Sequence, residues 1–190
     1  MNSNVLYLCS PIPPSVNHYL KLRVIKRNGK LIPMAYESEE TVKFKESFSK
    51  YVAECASIQN WPKDWEQSQH FYCDCVFYFS RIDMDTNNYF KCLLDAITMS
   101  KSVWRDDSIV CERVMKILYD KDNPRIEITI YPVEYCGIFE TRDDMESFEC
   151  KCKTCRRYGR NCSILKDCKA GKIRNEVIDN YCTEYKENKK

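Results

Sequence analysis

Apolar residues recur along this chain with two periods, every second residue in some stretches and at helical spacing in others. Val5 to Cys9 (VLYLC) reads as a short buried strand ending at Ser10-Pro11, since proline cannot donate to a ladder. Leu20 to Ile32 holds two β-prone runs around Arg27-Asn28-Gly29-Lys30, and Asn-Gly between such runs predicts a hairpin. Ser38-Glu39-Glu40 reads as a helix start, a capping hydroxyl followed by acids at the positive end of the dipole. Phe44, Phe48, Tyr51, Val52 and Cys55 then share one face, predicting a helix from Glu39 to Ser57. Phe71 to Phe79 is rich in aromatics and suits a core strand.

A second helix is predicted over Asn87 to Met99. Phe90, Leu93, Leu94 and Ile97 form its apolar face, with Asn88, Lys91 and Asp95 opposite. Ile109 to Tyr119 and Arg125 to Tyr131 read as two further strands, joined at Asp122-Asn123-Pro124. The order β, ββ, α, β, α, β, β predicts an α/β (α+β) fold, a mixed sheet with two main helices packed on it. The expected organisation is one domain over residues 1–135, a linker over 136–149 and a Cys-rich basic tail over 150–190.

Length and composition agree with that division. The chain has 190 residues, enough for one core and an appendage, and only 4 glycines, too few for long flexible linkers. No apolar run approaches the roughly 18–20 residues of a membrane span. Met1 to Leu8 lacks a basic stretch followed by an apolar one, so a cytoplasmic protein is expected, with no membrane partner. Net charge is only +2, but residues 151–190 hold 12 Lys/Arg against 5 Asp/Glu. That asymmetry suits an anionic partner for the tail, and equally a solvated polar tail.

Chemistry concentrates in Asp83-Met84-Asp85-Thr86-Asn87-Asn88-Tyr89-Phe90-Lys91, then Asp95, then Trp104-Arg105-Asp106-Asp107. Carboxylates at this density suit Mg²⁺, which takes one or two of them and keeps several waters. Such an ion activates water and offsets charge on a phosphodiester, and a nearby lysine can pair with the phosphate. Taken singly, Asp85 or Asn87 is also a plausible helix cap. Taken together, like charges at this spacing are destabilising without a cation.

These residues resemble the RusA family of junction-resolving endonucleases, whose pattern is Asp-x-Asp-Asn-x-x-Lys-x-x-x-Asp-Ala-Leu, then Trp-x-Asp-Asp-x-x-Val. The chain offers Asp85-Thr86-Asn87-Asn88-Tyr89-Phe90-Lys91, then Asp95-Ala96-Ile97, then Trp104-Arg105-Asp106-Asp107-Ser108-Ile109-Val110. It also offers Pro13-Pro14-Ser15-Val16-Asn17-His18-Tyr19 for the family's Pro-Pro-Ser-x-Asn-x-Tyr. The resemblance covers Val5 to Pro132 and implies a RusA-like fold and Mg²⁺-dependent cleavage of four-way DNA junctions, with Mn²⁺ as an alternative occupant. It implies catalytic roles for Asp85, Lys91 and Asp107, with Asp83, Asn87 or Asp106 completing the metal set. It also implies a homodimer, because a junction is cut on two opposed strands. One departure stands out. Asn87, a neutral ligand, falls where the family has its second aspartate, and Asp83 is then a candidate for the missing carboxylate. An alternative is a RusA-like protein that binds branched DNA without cutting it.

Asn17 and the acid-free cluster Lys21, Arg23, Lys26, Arg27 and Lys30 are candidate DNA contacts, neutralising phosphates without reading sequence. A solvated polar hairpin has the same composition.

Thirteen cysteines remain. An odd number in a chain of this kind argues against a disulfide framework. Cys9, Cys55, Cys73, Cys75, Cys92, Cys111 and Cys136 lie in apolar stretches and are expected to be buried. Cys150, Cys152, Cys155, Cys162, Cys168 and Cys182 crowd the tail, where thiolates at short spacing suit a structural Zn²⁺. Which four would bind is open, and a zinc-dependent regulator whose tail is the working part is a third reading.

Overall fold

The computed structural model describes residues 4–65 and 69–188. They form two compact units that divide between Val133 and Glu134.

The first unit is built on a four-stranded mixed sheet. Its strands are β1 (Leu6–Pro11), β4 (His70–Phe79), β5 (Val110–Tyr119) and β6 (Arg125–Val133), in the order β1-β6-β4-β5. Among the described strands, only β4 and β5 run parallel, and α3 (Asn87–Met99) makes the crossover between them. A short helix, α1 (Val16–Tyr19), leads into the hairpin β2 (Leu20–Arg27) and β3 (Lys30–Glu37), and α2 (Glu39–Ile58) follows.

Strict alternation gives β4 one buried face: Phe71, Cys73, Cys75, Phe77 and Phe79 are all fully buried. Ile126, Ile128 and Ile130 of β6 and Leu6 and Leu8 of β1 extend that face. Phe48, Val52 and Ala56 of α2 and Phe90, Leu93, Leu94 and Ile97 of α3 belong to the same core. Each such large side chain contributes roughly 1.5–3 kcal/mol by leaving water. The sheet's other face is polar and aromatic. There Asp74 accepts two bonds from Arg113, at 2.6 and 2.8 Å, and the guanidinium lies 3.8 Å from the centre of the Tyr72 ring.

Three expectations need correction. β1 runs through Ser10 and Pro11, which pair with Ile126 and Arg125; an edge strand tolerates proline because one side of it needs no N–H donor. Cys9 and Cys111 are exposed, since each sits at an outward position of an edge strand. The stretch expected as a linker carries buried Cys136, Phe139 and Phe148 and the start of a helix, so it belongs to the second unit's core.

That second unit contains α4 (Arg142–Thr154), α5 (Ile164–Lys169) and a small hairpin, β7 (Val177–Ile178) with β8 (Tyr181–Cys182). The Thr141 hydroxyl caps α4 by accepting from Asp144 N at 3.1 Å. Cys136, Phe139, Phe148, Ile164 and Cys168 form the core. Gly137 is required where it stands: its φ is +65°, and a Cβ there would lie 2.0 Å from the Cys168 carbonyl oxygen. Among the described residues, no helix is long and apolar enough to cross a membrane.

Candidate functional site

β4 ends at Phe79, and the chain turns through the acidic segment into α3. Asp85 stands just before the helix, its Oδ1 accepting the Asn87 N–H at 3.0 Å. The Asp85 residue is exposed. Asp83 forms a 3.0 Å ion pair with Arg81, with both side chains largely exposed. Asn87 is exposed in the first turn of α3.

Past the far end of α3, buried Trp104 donates from Nε1 to the Thr98 hydroxyl of that helix, at 2.8 Å. This bond pins the returning loop and brings a 3₁₀ turn, Asp107–Ile109, beside α3. The two acids of the pair then diverge in role. Asp106 Oδ1 caps the turn by accepting Ser108 N–H at 2.9 Å. Hydrogen bonds from the Ser108 hydroxyl and N–H hold its carboxyl below the usual range. Asp107 makes no side-chain hydrogen bond among the described residues, and its charge acts through space on Lys91.

Lys91 donates to Asp95 Oδ1 at 2.8 Å, one turn along α3. That hydrogen bond is the main reason its pKa lies above the ordinary lysine value. Asp95 in turn anchors a network drawn from three other elements. Its Oδ2 accepts a short bond from the Tyr19 hydroxyl. Lys45 of α2 donates to Glu37 at 2.7 Å and to the Tyr19 oxygen at 3.3 Å. Burial, then hydrogen bonding to Asp95, pushes the Tyr19 phenol far up, so it stays protonated.

Sequence reasoning missed Glu37 and Lys45, although one signal was present. Lys45 stands between Thr41 and Phe48 on the stripe of α2 that faces inward. A lysine on such a stripe needs a buried partner.

The hairpin places Lys21, Arg23 and Arg27 on one face, with Lys30 opposite Arg27. Lys26 points to the other face, alongside exposed Leu20, Leu22, Val24 and Leu31. Asn17 is exposed on α1. A cleft of about 410 Å³, also missed by sequence reasoning, adjoins the Trp104 loop. Lys63, Lys101 and Arg105 line it, over Trp65, Phe71 and Trp104.

Among the described residues, no group of three or more His, Cys, Asp or Glu is arranged to hold a metal. Asp85 and Asp107 each offer the oxygen donors that Mg²⁺ takes, and that ion needs only one or two protein carboxylates. Asp83, Asn87 and Asp106 add only oxygen donors.

No curated protein matches the chain. The family model for the endodeoxyribonuclease RusA matches residues 11–131, which include every residue of the site just described. The chain therefore belongs to the RusA endodeoxyribonuclease family.

Proposed function

We propose that this protein is a Mg²⁺-dependent endonuclease that cuts branched DNA and resolves Holliday junctions in recombination and repair by phosphodiester hydrolysis. The observation that carries the reading is that the 3₁₀ turn bearing Asp107 packs against α3, the helix that bears Lys91, although a loop separates the two elements in the chain. Asp85 and Asp107 would hold the ion, with Asp83, Asn87 or Asp106 completing the set. When bound, the ion supplies positive charge against the phosphate and lowers the cost of activating water. Lys91, kept protonated by Asp95, donates to a phosphate oxygen. Lys21, Arg23, Arg27 and Lys30 on the hairpin, Asn17 nearby in sequence, and the cleft cations Lys63, Lys101 and Arg105 would follow the DNA backbone.

A homodimer fits this chemistry, because two opposed strands must be cut. The sheet edges support it. Along β1 the edge is blocked: Gln59 bonds Tyr7 N–H and C=O at 2.9 and 2.8 Å, and Tyr51 accepts Cys9 N–H at 3.1 Å. β5 is the other edge, and Met115, Ile117, Leu118 and Tyr119 are exposed along it.

The test is a junction cleavage assay with the full chain, titrated with Mg²⁺ and then with Mn²⁺. Symmetric, metal-dependent cutting is expected. Asn87 favours the rival reading of a protein that binds branched DNA without cutting. Tight junction binding with no cleavage at any concentration of either metal would establish that rival.

A further inference from the structure

The second unit is small and has few buried residues. A domain of that size seldom holds itself together by its apolar core alone, and natural ones add disulfides or a metal. Six cysteines fall within its residues 150–182.

Cys152 and Cys155, at the end of α4, Cys162, before α5, and Cys182, on β8, all line one cavity of about 150 Å³. They come from three separate segments, and each is only partly buried. Cys155 Sγ accepts the Lys186 N–H at 3.5 Å, which ties the segment after β8 to the sulfur at the end of α4.

Glu184 and Tyr185 line the same cavity. Cys155 pairs with Glu187 in a β-bridge, and Arg156 N–H donates to the Lys186 carbonyl at 2.7 Å. Arg157 lines the cavity and lies within electrostatic reach of both Cys155 and Cys182. Four thiolates around a divalent ion leave two negative charges; this guanidinium lies near them but is paired with Glu184 at 3.0 Å.

We infer that Cys152, Cys155, Cys162 and Cys182 form a tetrathiolate site for one structural Zn²⁺, and that Cys150 and Cys168 stand outside it. Tetrahedral sulfur coordination suits zinc, and binding supplies folding energy that the small core lacks. Among the described residues no three such side chains are already set to hold a metal, so zinc binding requires the four thiols to move together. Cys150 is exposed on α4 and does not line the cavity. Cys168 is fully buried in the core cluster against which Cys152, Cys162 and Cys182 also pack, but it does not line the cavity.

The experiment uses the full chain, purified and kept reduced. Elemental analysis should find about one zinc per chain. Replacing the metal with Co²⁺ should give the visible bands of tetrahedral cobalt and strong sulfur-to-cobalt charge transfer. Cys152→Ser, Cys155→Ser, Cys162→Ser and Cys182→Ser should each lose most of the zinc, whereas Cys150→Ser and Cys168→Ala should keep it. Because a serine variant can lose metal by failing to fold, wild-type protein is also alkylated and mapped by mass spectrometry. Cys152, Cys155, Cys162 and Cys182 should resist labelling until a chelator is added, while Cys150 labels at once. Metal-free reduced protein, zinc lost with Cys168→Ala or Cys150→Ser, or labelling of the four thiols indifferent to chelator would each overturn the assignment. None of these readouts depends on DNA cleavage.

Discussion

Lys91 Nζ lies 2.8 Å from Asp95 Oδ1 across one turn of α3, and the other oxygen of that carboxylate is taken by the Tyr19 hydroxyl. The lysine is thus tied to a network that includes Lys45 and Glu37, rather than waving from an exposed helix face. Its ammonium is held protonated and aimed. Lys91→Ala should lower the single-turnover rate of junction cleavage by about 10²-fold or more while changing junction affinity little. Asp95→Asn keeps the helix and removes the charge that steadies the lysine, so it should give a smaller loss of the same kind. Equal losses of rate and affinity would place Lys91 in general DNA binding.

Asp85 accepts the Asn87 N–H in the turn that leads into α3, and on the function proposed above it is one of the carboxylates that hold the ion. Asparagine caps as well as aspartate does. Asp85→Asn should therefore leave stability within about 0.5 kcal/mol of wild type and abolish cutting, a loss of at least about 10³-fold. Asp107→Asn should do the same. Junction binding should persist or tighten in both, because a carboxylate without its ion repels phosphate. Asp106→Asn should be milder, since its working bond is the cap to Ser108. Asp83→Asn decides whether Asp83 compensates for Asn87. Rates near wild type in both Asp85→Asn and Asp107→Asn would exclude this site.

How much of this could be read in advance follows from range. The Asn28-Gly29 hairpin turn (φ 52° and 76°), the Ser38 cap and the alternation of β4 are local patterns, and each element forms close to where the pattern puts it. The acid and lysine positions also lie within two short segments. The Tyr19–Glu37–Lys45–Asp95 network joins four elements far apart in sequence, and no local period encodes such a meeting. Burial of Cys9 and Cys111 was expected from residue type, whereas the face of an edge strand decides it. Lys26 and Arg27 look like one basic pair in sequence, yet consecutive strand residues face opposite ways.

Asp74 gives a pH test away from the site. The Arg113 guanidinium, bonded through two nitrogens, holds its carboxyl below the usual aspartate range. The folded pKa is depressed, so the unfolded chain takes up the proton first as pH falls. The pair's contribution is fully present above the unfolded aspartate pKa of about 3.9 and is lost as pH drops through the lower folded value. Asp74→Asn should therefore be less stable than wild type at pH 7 in urea unfolding, and the gap should close only in the acid range below that. A gap independent of pH would mean the pair acts through packing on Tyr72, not through charge.

The last prediction concerns how the hairpin holds DNA. Arg23 and Arg27 share a face with Lys21, and Arg23 lies 5.1 Å from the centre of the Tyr36 ring on the neighbouring strand. Lys26 lies on the opposite face with Leu22, Val24 and Leu31. If the basic face runs along a duplex arm, each phosphate contact removed should reduce the slope of log affinity against log salt by about 0.9. Arg23→Ala with Arg27→Ala should thus flatten the slope by up to about twice that and weaken binding most at low salt. Lys26→Ala should leave the slope nearly unchanged. Cleavage-site preference should hold in every variant, because phosphate contacts position the protein without reading bases. An unchanged slope in the double variant would move the DNA off the hairpin. Lys63, Lys101 and Arg105 would then be the cations to replace next, since they line a cleft beside the loop that carries Asp107.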